Sequence, residues 1–142
     1  MKTDAMVVMA LTAMAAVTVC AQTANPATNV LDTWQFAIDG TSYLAHVHRE
    51  AVTSGASWDT AQPLPLSFSK VEQIARKELR KLAKDEPAWE VESFQLQRLK
   101  HTQQWYYVVG FHPPAKGHKD SYAYVLIDAS GKAGSIEKGR LK

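Results

Sequence analysis

Residues 105–127, WYYVVGFHPPAKGHKDSYAYVLI, contain two predominantly apolar segments separated by a polar loop. Segments 105–111 and 122–127 each read as a strand that is apolar on both faces, because side chains alternate between the two faces of a strand. The loop between them, 113–121, contains two Pro and one Gly and predicts a connection between antiparallel neighbours. Each apolar face of the resulting sheet needs a cover from elsewhere in the chain.

Upstream of these strands, the sequence predicts an amphipathic helix. Ser67 or Ser69 is a suitable N-terminal cap, and Pro87 ends the helix at or just before Glu86. The apolar side chains that recur at helical spacing on one face are Val71, Ile74, Ala75, Leu79 and Leu82. This stripe is expected to cover one face of the sheet.

A β-hairpin is predicted near the N-terminus. Residues 34–38 and 41–49 each alternate between apolar and polar side chains. Asp39-Gly40 separates the two runs and suits a two-residue turn in which both residues have positive φ.

Further strands complete the predicted domain. Residues 89–99 alternate, but the phase switches near Glu92-Ser93, which predicts a β-bulge. Residues 135–137 add a short last strand. The predicted fold is α+β: one main helix packed on an antiparallel sheet of about four to six strands, with an N-terminal β-hairpin.

The first residues of the chain have the pattern of a secretory signal peptide. Residues 1–21 carry an apolar run with small residues before the expected cleavage site, so 22–32 becomes a flexible linker and 33–142 a single α+β domain. The protein is therefore predicted to be exported, periplasmic or secreted, with no stable membrane anchor after cleavage. The alternatives are a retained anchor and lipid attachment at Cys20.

Composition limits the possible function. The net charge of +2 on 142 residues is too small to favour nucleic-acid binding. Cleavage removes Cys20, the only cysteine, so no disulfide or thiolate metal site is expected. The chain shows no nucleophile elbow and no glycine-rich phosphate loop. We therefore predict a non-enzymatic protein without a cofactor.

Residues 69–132 carry a resemblance to a known family. The features are the predicted helix, the strand 105–109 (WYYVV) and the segment 124–132 (YVLIDASGK). This last segment is similar to the strand ending in Asp-x-x-Thr/Ser-Gly of the PepSY-type domains found in exported bacterial proteins and protease propeptides. The resemblance implies a non-catalytic module that binds a partner protein or protease.

His46 and His48 form a candidate metal site. Residues two apart on a strand point to the same side, so both imidazoles could reach one metal ion. The alternative is a pair of solvated histidines opposite an apolar face. A small periplasmic metal-binding protein is thus the second functional hypothesis.

The candidate partner-binding residues are Tyr106, Val108, Tyr122 and Tyr124. If the residues that face the predicted helix alternate with them along the two apolar strands, these four point to the far side of the sheet. Left uncovered, they would bind a protein partner or a second copy of the chain. The alternative is that the N-terminal hairpin or the loop carrying Trp58 covers them.

Overall fold

A computed structural model of the chain describes residues 29–49, 58–99, 102–114, 118 and 120–139. The predicted signal peptide, its cleavage site and Cys20 lie outside these residues. The described elements are β1 (Val30–Ile38), β2 (Thr41–His48), α1 (Phe68–Leu79), a short 3-10 helix (Glu86–Ala88), β3 (Glu90–Arg98), β4 (Trp105–His112), β5 (Ala123–Asp128) and β6 (Ser135–Lys138).

The predicted N-terminal hairpin is confirmed. β1 and β2 pair antiparallel across a turn at Asp39 and Gly40. These two residues have φ angles of 49° and 75°, as the predicted turn requires. β1 begins at Val30 rather than near Trp34, so its first residues come from the segment predicted to be a linker.

The described strands form two antiparallel sheets rather than one. The N-terminal sheet has the order β1-β2-β6, and the C-terminal sheet has the order β3-β4-β5. The α+β class is confirmed, but the prediction of one sheet of about four to six strands on the helix is wrong. The physical reason is that β4 and β5 are apolar on both faces, so one face packs on α1 and the other on the N-terminal sheet.

One side of the C-terminal sheet faces α1. The Tyr107 hydroxyl, on β4, accepts a hydrogen bond from the backbone N–H of Leu66 at 3.1 Å, just before α1 begins. The Arg76 guanidinium, on α1, lies 5.5 Å from the ring centre of Phe111. The residues of β4 and β5 that alternate with these positions face the N-terminal sheet instead.

α1 begins after Ser67, one of the two serines predicted as its N-terminal cap. Ser67 Oγ accepts a hydrogen bond from the Lys70 backbone N–H at 3.3 Å. The fully buried residues of the predicted stripe are Val71, Ala75 and Leu79. The stripe therefore covers the sheet as expected.

The two sheets meet at both ends of β5. Before its start, the Tyr122 N–H donates to the Ala37 carbonyl of β1 at 3.0 Å, and near its end the Gly134 N–H donates to the Leu126 carbonyl at 2.8 Å. A Cβ at Gly134 would overlap the carbonyl oxygen of His46. The start of the β2–β6 pair therefore depends on a glycine at this position.

Candidate functional site

The four predicted partner-binding residues lie in two different environments. Tyr106 and Val108 are only 2% and 0% exposed, because the N-terminal sheet covers them. The expectation that they form an open face is wrong, and the predicted alternative, cover by the hairpin, holds for them. Tyr124 is half-buried, whereas Tyr122 is 39% exposed. Of the four predicted residues, Tyr122 and Tyr124 are therefore the two with surface available to a partner.

Tyr122 and Tyr124 line an open groove of about 520 Å³, which we call the tyrosine groove. It lies where β1, β3 and the ends of β4 and β5 come together. Its lining residues are Gln35, Glu92, His112, Ser121, Tyr122 and Tyr124. The site thus combines two aromatic rings with a polar rim drawn from separate parts of the chain.

The rings are held in a fixed arrangement. Tyr122 and Tyr124 pack edge to face with ring centres 5.7 Å apart, and Trp34 packs edge to face on Tyr124 at 5.1 Å. Gly110, the β4 partner of Tyr124, leaves room for this ring, since a Cβ there would lie 3.2 Å from it and 2.5 Å from Ser93 Oγ. Such edge-to-face contacts stabilise the rings beyond their buried area.

The carboxylate of Glu92 lies at the tyrosine groove because of the β-bulge in β3. The β3–β4 register shifts between Val91 and Ser93, which confirms the predicted bulge and leaves Glu92 as the extra residue. Bulges re-aim a side chain relative to the regular strand. The Glu92 side chain is exposed, and its charge acts on the Tyr124 hydroxyl. Burial raises the pKa of Tyr124, and the negative charge of Glu92 raises it further.

Behind the groove, the two sheets are linked by a polar contact. The Tyr106 hydroxyl donates to the carboxylate of Asp32 and accepts a hydrogen bond from Trp34 Nε1 at 3.2 Å. Burial raises the pKa of Tyr106, and the hydrogen bond to Asp32 raises it further. The hydroxyl therefore remains a neutral donor, and Tyr106 serves packing between the sheets rather than an external surface.

His46 and His48 lie side by side on one face of β2, as predicted, with ring centres 6.1 Å apart. His46, only 8% exposed, places Nδ1 2.9 Å from Thr33 Oγ1 and Nε2 3.0 Å from Glu137 Oε1. His48 Nε2 lies 2.6 Å from Ser135 Oγ. In the described part of the chain, no group of three His, Cys, Asp or Glu side chains is arranged to hold a metal ion.

One cluster was not anticipated from the sequence. His118, in the β4–β5 loop, places Nε2 2.6 Å from Asp85 Oδ2 and Nδ1 2.8 Å from Asp39 Oδ1. The hydrogen bonds to Asp85 and then to Asp39 raise the pKa of His118. The only signal in the sequence was a histidine in a loop of otherwise ordinary composition, which does not identify its partners.

A second open groove, of about 600 Å³, lies between the end of α1 and the β5–β6 turn. Lys81 and Lys132 line it, but Lys81 Nζ is already 2.6 Å from Glu78 Oε2, a carboxylate of the same groove. No Tyr, Trp or Phe is among its described lining residues. The tyrosine groove is therefore the better candidate for a binding site.

Comparisons of the chain with models of protein families, with curated proteins and with solved structures gave no match. Among the described residues, none of the helices has the length and apolar character needed to cross a membrane.

Proposed function

We propose that the protein is an exported, non-catalytic binding module that engages a protein partner through the tyrosine groove. The observation that carries the proposal is Tyr122, a large aromatic side chain that is 39% exposed yet packed against Tyr124. A tyrosine fixed in this way can bury its ring in an interface while its hydroxyl stays hydrated. It also loses little conformational entropy on binding, because its neighbour already restrains it.

The resemblance to PepSY-type domains supports a protein, such as a protease, as the partner class. The mixed lining of the groove supports it as well, since an aromatic centre with a polar rim is the usual composition of a protein interface. Glu92 and His112 are then recognition groups, and we assign no reaction to them. The same proposal includes export of the protein by its N-terminal signal peptide, with cleavage just before Gln22.

Site-specific photo-crosslinking in the producing cell tests this function. With p-benzoylphenylalanine in place of Tyr122, we expect a light-dependent adduct with one polypeptide, identified by mass spectrometry. The matched control carries the same amino acid at Lys132, an exposed residue beyond the opposite end of β5. An adduct with a second copy of this chain would make self-association the function of the groove.

Competition with unlabelled protein shows whether the crosslink is specific to the tyrosine groove. Added unlabelled protein should reduce the adduct, whereas unlabelled Tyr122→Ser protein should not. Adducts that form equally well from position 132, or none from position 122, would contradict the proposal.

A further inference from the structure

The charge around the tyrosine groove distinguishes it from the rest of the molecule. Glu92 is exposed at the bulge, and Glu90, at the start of β3, places its carboxylate 3.4 Å from His112 Nε2. Among the described residues that line the groove, Glu92 is therefore the one carboxylate and no Lys or Arg is present. The Arg76 guanidinium is also near this end of β3, where it donates to the Trp89 carbonyl at 3.1 Å, but it lies on the α1 side of the sheet over Phe111. The whole chain, in contrast, has a net charge of +2.

Aromatic rings beside a carboxylate favour a cation. The negative face of a tyrosine ring attracts an ammonium or guanidinium group, and a carboxylate pairs with the same group through charge-assisted hydrogen bonds. Tyr122 offers an exposed ring, Tyr124 offers the neighbouring one, and Glu92 supplies the charge. A planar guanidinium can stack on a ring and bind a carboxylate at once, which makes arginine the best match.

The shape of the groove indicates that the cation belongs to a larger ligand. Pockets for small molecules enclose most of the ligand surface. The tyrosine groove is shallow and open, so a free small cation would stay largely hydrated there. A side chain presented by a polypeptide gains further contacts outside the groove.

We infer that the tyrosine groove binds a cationic side chain, arginine in the first place, of an extended segment of a partner protein. This inference rests on the proposed binding function and gives it a ligand chemistry. Because the net charge of this protein is positive, general electrostatic attraction does not explain such binding, and recognition must come from the local arrangement.

Nuclear magnetic resonance titration of the ¹⁵N-labelled protein tests the inference. The probe is a blocked pentapeptide with arginine at its centre and two glycines on each side, and the same peptide with citrulline, the neutral isostere of arginine, is the matched ligand control. We expect the arginine probe to shift the amide signals of Glu92, Tyr122 and Tyr124, and the citrulline probe to bind more weakly by at least about two- to fivefold, the factor typical of an exposed cation–π contact.

Substitutions separate the contribution of the Glu92 carboxylate from that of the Tyr122 ring. Glu92→Gln and Tyr122→Leu should each weaken arginine binding by about two- to fivefold, since each removes one attraction at an exposed position. Glu78→Gln makes the same charge change in the second groove and should leave binding unaltered. Both test residues are exposed or partly exposed, and the amide spectra report directly whether the fold is kept.

Three outcomes would overturn the inference: equal binding of arginine and citrulline probes, no binding of either, or tighter binding of choline than of the arginine probe. The last would point to a small quaternary ammonium ligand instead of a polypeptide. Failure of the arginine probe together with a specific crosslink from position 122 would leave the proposed function standing and remove only its cationic ligand.

Discussion

His118 is the residue at which three distant segments meet. It comes from the β4–β5 loop, Asp39 from the β1–β2 turn and Asp85 from the segment between α1 and the 3-10 helix. Trp89 Nε1 donates to the second oxygen of Asp85 at 3.0 Å, and the Trp89 and His118 ring centres are 5.4 Å apart. Because a carboxylate faces each ring nitrogen, both nitrogens donate only when the imidazole is protonated.

We expect His118→Gln to lower the melting temperature most at mildly acidic pH. The pKa of His118 is raised in the folded protein, so its stabilisation is complete below the unfolded value of about 6.5 and is lost as the pH rises through the folded pKa. The pKa of Asp85 is lowered in the folded protein, first by the hydrogen bond from His118 and then by that from Trp89. The stabilisation that Asp85 gives is therefore lost as the pH falls through its folded pKa.

Thermal melts of both proteins between about pH 5 and about pH 9 measure the effect. The difference in melting temperature between wild type and variant should shrink toward alkaline pH. His112→Gln is the control, because His112 is half-exposed and its carboxylate neighbour is more distant. A difference that stays constant across this range would mean that His118 acts by packing alone.

The residues of the tyrosine groove show which part of a site the sequence reveals. Tyr122 and Tyr124 stood out because two successive strands were apolar on both faces. Gln35 joins them through the bridge between Tyr122 and Ala37 of β1, and His112 joins them through the pairing of β5 with β4. No local pattern encodes such neighbours, because their proximity follows from tertiary packing.

Among the elements, α1 offers the most direct test of the core. Leu79 is completely buried at the last turn of the helix. We expect Leu79→Ala to lower the free energy of unfolding by about 2 to 5 kcal/mol, as the loss of a buried leucine and the resulting cavity usually do. Lys77→Ala, on the exposed face of the same turn, should change it by less than about 0.5 kcal/mol.

Urea denaturation monitored by circular dichroism compares the two variants. Similar losses from Leu79→Ala and Lys77→Ala would show that α1 does not pack through the described stripe.

The boundaries of α1 illustrate what an element's own sequence determines. Its start was predictable as a choice between Ser67 and Ser69, since both carry local capping signals, and the helix uses Ser67. Its end was not: the prediction placed it near Glu86, but the helix stops at Leu79. Glu86 is instead buried in the next segment, where its carboxylate lies 3.2 Å from Arg76 and 3.1 Å from Arg80. This network forms only when the chain turns back on the helix, which periodicity does not show.

At the scale of the whole molecule, the sequence indicated the need for two covering layers but not their connections. The apolar faces of β4 and β5 required covers on both sides, and the hairpin was a foreseeable cover. That the hairpin would form a separate sheet with β6 was not foreseeable. β6 pairs with β2 across most of the chain length, and neither strand has a pattern that selects the other over β5.

The polar link between the two sheets depends on the Tyr106 hydroxyl. Tyr106→Phe removes the hydroxyl that bonds to Asp32 and Trp34, leaving these partly buried groups without that partner. We expect a loss of about 1 to 3 kcal/mol in the free energy of unfolding, the usual cost of such unmet hydrogen bonds. Because the link lies between the two sheets, amide hydrogen exchange should accelerate mainly in β1 and β2.

Tyr107→Phe is the matched control on the adjacent residue of β4. Its hydroxyl faces the opposite layer and bonds to the backbone of Leu66, accepting at 3.1 Å and donating at 3.2 Å. Loss of the Tyr107 hydroxyl should accelerate amide hydrogen exchange at the start of α1 and leave the amides of the β1–β2 hairpin protected. Two distinct exchange patterns from neighbouring tyrosines would therefore separate the layers on either side of the C-terminal sheet. The same pattern from both variants would contradict that separation, because it would mean that helix, central sheet and N-terminal sheet open together as one unit.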